Sequence, residues 1–157
     1  MPAAIQIRPA RVEERGALED LQRRASLAWE EYREALLAHP DAIALPEAQI
    51  ADGRVAVAEV NGEITGFVVV LPRADGEAEL DGLFVEPAHW GKWIGRLLVE
   101  QAERMARAIG GPALHVIANP QALGFYEKCG FVEQRRAETR FGPAIAMSKP
   151  LRLFEQE

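Results

Sequence analysis

The sequence predicts a single-domain α/β (α+β) fold, a mixed sheet flanked by helices in which one helix crosses over between two parallel strands. Three observations predict it. The 157-residue length is the usual size of one domain, so 1–157 is read as a single unit. Asn61-Gly62 lies between two runs rich in β-branched residues, the strongest short-range signal for an antiparallel hairpin. Ile94 to Ile109 carries one continuous apolar face and separates two strand-like segments, and a strand–helix–strand connection joins parallel strands.

The elements come in this order along the chain. Ala4 to Arg8 alternates as a strand does, and Pro9 ends it. Arg11 to Ala28 reads as a helix, with Leu18, Leu21, Ala25 and Ala28 at three- and four-residue spacing. Ala35 to Leu37 fits a second short helix, and Pro40 and Pro46 break up the stretch after it. Arg54–Val60 and Glu63–Leu71 form the hairpin, and Glu79–Val85 the next strand, closed by Glu86-Pro87. The amphipathic helix stops at Gly110-Gly111-Pro112. Leu114 to Ala118 is a short strand, after which Asn119 serves as an N-cap with Pro120 at the first helical position. That helix runs to Lys128, Gly130 ends it, and Phe131–Arg135 and Ala144–Met147 close the sheet.

Composition narrows the function. With 48% hydrophobic and 27% charged residues the chain can bury a core, which excludes a disordered tail or a collagen-like fibre. No apolar run reaches the roughly 18 residues of a membrane span, and the first residues show no apolar signal core. Cys129 is the one cysteine and forms no internal disulfide, so a cytoplasmic location with no membrane partner is expected. The 18 basic against 24 acidic residues leave a net charge of −6, which argues against a nucleic-acid partner.

Chemistry concentrates in Leu83-Phe-Val-Glu-Pro-Ala-His-Trp-Gly-Lys-Trp-Ile-Gly-Arg96, where a strand ends, a loop turns and the amphipathic helix begins. Exposed amides at a helix N-terminus attract anions, and Lys92 and Arg96 add positive charge there. A phosphate or pyrophosphate site is one reading. The other is that Gly91 and Gly95 only ease a tight turn and close packing. Neither a Walker signature nor a dinucleotide GxGxxG is present.

This segment resembles the acetyl-CoA-binding segment of the GNAT superfamily of N-acetyltransferases. Asn119-Pro-Gln-Ala-Leu-Gly-Phe-Tyr-Glu-Lys-Cys-Gly-Phe131 resembles that family's second signature, and the Asn61-Gly62 hairpin with Ile64-Thr-Gly66 matches as well. The element order agrees from about residue 5 to 150. The resemblance implies a mostly antiparallel sheet whose central parallel pair splays around acetyl-CoA, near Leu83–Val85 and Val116–Ala118. Leu83, Phe84 and Val85 would meet the pantetheine arm, Phe84 and Val85 through backbone groups. Gly91, Lys92, Trp93, Ile94, Gly95 and Arg96 would hold the pyrophosphate, and Asn119 and Tyr126 would also touch the cofactor.

The implied reaction is direct attack of a neutral primary amine on the thioester in a ternary complex, with no metal and no covalent enzyme intermediate. Tyr126 is the expected general acid for the departing thiolate, and Cys129 is expected to be structural. Glu79, His115 and Asp81 are the candidates for general base; Glu79 and Asp81 share a strand face, and an imidazole suits the task near neutrality. The acceptor is a small-molecule or peptide amine, chosen by Trp29 to Ile50, the hairpin and the Thr139 to Ala144 loop. Monomer and homodimer are both compatible. The alternative is a CoA-binding module with little catalysis, a sensor or interaction partner.

The chain departs from the family pattern at two places. Trp90 stands where Arg or Gln is usual, and Trp93 where Gly is usual. Either the backbone at Trp93 keeps to an allowed region with its indole turned outward, or the pyrophosphate shifts, or the chain no longer binds CoA well.

Overall fold

The computed structural model describes residues 4–91, 93–139 and 142–151. Its strands are β1 (Ile5–Pro9), β2 (Val55–Val60), β3 (Glu63–Pro72), β4 (Ala78–Val85), β5 (Ala113–Ala118), β6 (Val132–Thr139) and β7 (Gly142–Pro150). Its helices are α1 (Arg15–Leu27), α2 (Glu30–Ala38), α3 (Glu47–Ala51), α4 (Ile94–Ile109) and α5 (Leu123–Lys128). The sheet runs β1-β2-β3-β4-β5-β7-β6. β4 and β5 are parallel, as the crossover helix requires, while β1–β2, β2–β3, β5–β7 and β6–β7 are antiparallel. The expected mixed sheet with flanking helices is therefore the observed fold.

Packing divides the chain into two compact units, Met1–Val69 with Gly82–Gln101, and Val70–Asp81 with Ala102–Glu157. In the first unit Asn61 and Gly62 turn the hairpin at φ of 53° and 81°, the left-handed pair that lets two strands meet without splaying. Val57, Ala58 and Phe67 are fully buried, and α1 lays Leu18, Leu21 and Ala25 into the same core. Arg8 on β1 donates to Glu14 at 2.6 Å and to Glu59 on β2 at 2.7 Å, all three side chains less than a fifth exposed. The Arg8 guanidinium holds the Glu14 carboxyl below its ordinary range. Because Glu14 also accepts the Arg11 N–H at 2.8 Å, the expected helix from Arg11 opens as a 3₁₀ turn over Val12–Glu14 and turns α-helical only at Arg15.

In the second unit Leu114, Ile145 and Met147 are buried, with Ala102 and Ala106 of α4. Small residues on the inner face of α4 suit close packing of a helix on other elements. Lys149 of β7 donates to Glu103 at 2.8 Å and to the Cys129 carbonyl at 2.7 Å, which satisfies an acceptor at the C-terminal end of α5. The second signature starts as a 3₁₀ turn, Pro120–Ala122, before α5.

Candidate active site

The first unit carries the loop between β4 and α4. Glu86 donates its N–H to the Thr65 carbonyl at 2.8 Å, and its carboxylate takes two bonds of 2.8 Å from the Arg24 guanidinium on α1. That pairing lowers the Glu86 carboxyl. Trp90 donates its indole Nε1–H to the Val85 carbonyl at 2.7 Å, and its ring lies 5.4 Å from that of Trp29. The first departure from the family pattern thus ties down the end of β4 with a side-chain bond.

Gly91 follows at φ 81° and Trp93 at φ 71°. Trp93 takes the left-handed conformation that glycine adopts freely, with the residue 66% exposed and the Arg96 guanidinium 5.2 Å over its ring. The indole is turned outward as expected, but the backbone does not keep to the ordinary region: it takes the positive φ that a bulky residue was expected to avoid. α4 begins at once. Its first backbone bond runs from the Leu97 N–H to the Trp93 carbonyl at 3.0 Å, so the amides of Ile94, Gly95 and Arg96 precede the helical ladder. The backbone that a pyrophosphate would meet here keeps its glycine-like path, and the residues fit an anionic group. Lys92 lies outside the described residues. Leu83, Phe84 and Val85 are half-buried at the end of β4, with the Phe84 ring 5.3 Å from Phe67.

The second unit holds all four candidates for proton transfer. Glu79 and Asp81 alternate on one face of β4. Glu79 sits opposite His115 in the parallel register, which runs from Ala78 with Leu114 to Leu80 with Val116. Burial on one side raises the Asp81 carboxyl, although the residue as a whole stays exposed. The residue missed in the sequence is Glu77. Its Oε1 lies 2.6 Å from His115 Nε2. The signal was an acidic row at two-residue spacing, Glu77, Glu79 and Asp81, of which only the last two fall in the strand as predicted.

Asn119 does cap the turn ahead of α5, its Oδ1 accepting the Gln121 N–H at 3.0 Å. Tyr126 on α5 is 7% exposed and meets Phe125 and Phe131 edge-on at 5.1 and 5.4 Å. Cys129 is buried at the end of α5.

Leu36, Leu37 and Ile43 of the stretch expected to choose the acceptor line, with Arg23 and Leu27 of α1, a cavity of about 110 Å³. Arg140 and Phe141 of the expected acceptor loop lie outside the described residues. Among the described residues no group of three or more His, Cys, Asp or Glu is set to hold a metal. No described helix is long and apolar enough to cross a membrane.

Comparison with known proteins gives a consistent answer. The model of the acetyltransferase (GNAT) family matches residues 19–131. An IAA acetyltransferase of Azospirillum brasilense is 33% identical over 107 residues, 64% of this chain and 69% of that one. The peptidyl-lysine N-acetyltransferase YjaB of Salmonella typhimurium is 37% identical over 94 residues, 60% of this chain and 57% of that one. The chain therefore spans little more than half of the second relative's length. The PaiA N-acetyltransferase of Thermoplasma acidophilum, solved with coenzyme A, has the same fold at TM-score 0.75 and 23% identity, covering 94% of this chain and 99% of its own.

Proposed function

The chain belongs to the acetyltransferase (GNAT) family, and we propose that it is an acetyl-CoA-dependent N-acetyltransferase that acetylates a primary amine by direct attack, with the loop ahead of α4 holding the pyrophosphate. The observation that carries this reading is the backbone from Gly91 to Ile94, left-handed at both Gly91 and Trp93 and ending in the open amides of α4. Convergent amides with a helix dipole behind them bind an anion even in a chain of net charge −6.

In this reading Arg96 adds a cation beside the amides, and Asn119 and the backbone at Phe84 and Val85 bond the pantetheine arm. The Val85 carbonyl keeps one lone pair beyond its bond to Trp90. Acetyl-CoA supplies the activated carbonyl that the amine attacks. Tyr126 donates its phenolic proton to the departing sulfur, a role suited to a buried tyrosine on an aromatic support. The ammonium proton leaves to a base on the β4–β5 face, where Glu79, His115 and Asp81 are the candidates. The acceptor is a small-molecule or peptide amine, and the location is cytoplasmic.

Thiol release from acetyl-CoA across a broad panel of amines tests the proposal, alongside thermal unfolding with and without CoA. Amine-dependent release together with a CoA-dependent rise in melting temperature is expected. A rise without release against any amine would favour a CoA-binding sensor. The absence of both would refute cofactor binding itself.

A further inference from the structure

We infer that His115 is the proton acceptor for the incoming amine and that Glu77, hydrogen-bonded to it across the β4–β5 pair, is its positioning residue. The inference rests on the acetyltransferase reading and adds to it which group works as base, through which nitrogen, and what holds it.

The geometry sets the tautomer. An ionised carboxylate only accepts, so the Glu77 Oε1 at 2.6 Å from Nε2 places the ring hydrogen on Nε2. Nδ1 is then left with the lone pair, and among the described residues it has no hydrogen-bond partner. A proton passes from the ammonium nitrogen to Nδ1, directly or through one water. The N–H bond breaks, the amine keeps its electron pair for attack, and the imidazolium formed donates to Glu77 through Nε2. The pair retains access to solvent, with side chains 25% and 27% exposed. The other groups facing this ring are Glu79 from β4, opposite His115 in register, Asp75 in the turn before β4, and Ser148 of β7 across the antiparallel register.

Glu77 is held by more than its partner. Its N–H donates to Asp75 Oδ1 at 3.0 Å and its carbonyl accepts the Arg73 N–H at 2.7 Å. Gly111 also packs so closely that a Cβ there would stand 2.6 Å from the Glu77 Cα. A residue whose backbone is fixed on three sides, with its carboxylate aimed at one ring nitrogen, is the arrangement that orients an imidazole for proton transfer.

The test compares kcat/KM for the wild type, His115→Asn, Glu77→Gln, Glu77→Asp and Glu79→Gln, with an amine found active by thiol release. His115→Asn is expected to lower turnover about 10²- to 10⁴-fold while the CoA-dependent thermal shift persists. Glu77→Gln removes the charge that favours the imidazolium. It is expected to lower kcat/KM about 10- to 100-fold, with Glu77→Asp restoring part of the rate. Nitrogen-15 shifts of His115 should show the hydrogen on Nε2, a readout that needs no turnover and survives in variants of low activity. Full turnover in His115→Asn, an undiminished rate in Glu77→Gln, or a loss of turnover in Glu79→Gln alone would each overturn the assignment and leave the acetyltransferase reading intact. A wild type that releases no thiol with any amine would overturn that reading and the role of His115 with it.

Discussion

Trp93 holds a bulky side chain at φ 71°, a conformation that costs an L-residue about 1–2 kcal/mol and glycine nothing. The Arg96 guanidinium over its ring returns about 0.5–1 kcal/mol at this exposed position. Trp93→Gly removes both terms and adds about 0.5–1 kcal/mol of unfolded-chain entropy, so it should be close to neutral. Trp93→Ala keeps the strain and loses the ring, and should unfold about 1 kcal/mol more easily than the Gly variant in urea. Equal stabilities would show that no strain is stored there. Since the indole points outward, acetyl-CoA should bind the Gly variant as it binds the wild type, which calorimetric titration would measure. At Tyr126 the expectation concerns chemistry. Tyr126→Phe keeps the edge-on packing against Phe125 and Phe131, yet turnover should fall roughly 10²- to 10⁴-fold with CoA affinity retained. An unchanged rate would remove the phenol from the mechanism. Trp93 was legible as a departure from pattern, but its backbone angle was not, because residue identity alone argues against the angle it adopts.

The longest helix was legible to the residue. α4 starts at Ile94 and ends at Ile109 because its apolar positions keep one face in register over four turns. α3 was not foreseen, since five residues behind Pro46 are too few to show a period. β7 runs from Gly142 to Pro150, beyond the apolar Ala144–Met147, because pairing with β5 and β6 extends backbone bonding past the hydrophobic run. The Glu77–His115 pair was hidden for a related reason. Which residue of β4 meets which of β5 depends on a parallel register that no local pattern encodes. Gly111→Ala tests the support of this pair. Its methyl group would press on the Glu77 backbone, costing about 1–3 kcal/mol and lowering the melting temperature. An unshifted melting temperature would mean that the neighbouring backbone yields freely.

The tie between β1, β2 and the start of α1 has a pH signature. In the fold the Glu14 carboxyl sits below its ordinary value of 4.5, so its contribution is complete above that value and is lost as pH falls through the folded one. Glu14→Gln should therefore cost about 1–2 kcal/mol at neutral pH, and the gap to wild type should close as the solution is acidified. Urea titrations at neutral and acid pH measure the gap, and a constant difference would assign the effect to packing.

For the whole molecule, the hairpin, the crossover helix and the two signatures were enough to place the chain in its fold and family from residues alone. They left the acceptor unread, because the segments expected to choose it carry no periodic pattern and no family motif. Ligand binding offers a global check. A ligand that binds only the folded chain stabilises it by about 2.7 kcal/mol at a hundredfold excess over Kd, and each kcal/mol raises the melting temperature of a chain of this size by roughly 2–4 °C. CoA should produce a rise of that order, and pantetheine without the nucleotide a smaller one, if the loop ahead of α4 holds the diphosphate.

Trp29, Trp90 and Trp93 are the three tryptophans of the sequence, and all fall in the first unit, two of them in the loop before α4. The protein consequently carries a built-in optical probe. Its ultraviolet emission originates where the nucleotide is proposed to dock, and the 5.4 Å approach of the Trp29 and Trp90 rings should add a coupled-chromophore band to the circular dichroism. Ligand occupancy can then be followed by light alone, without label or turnover.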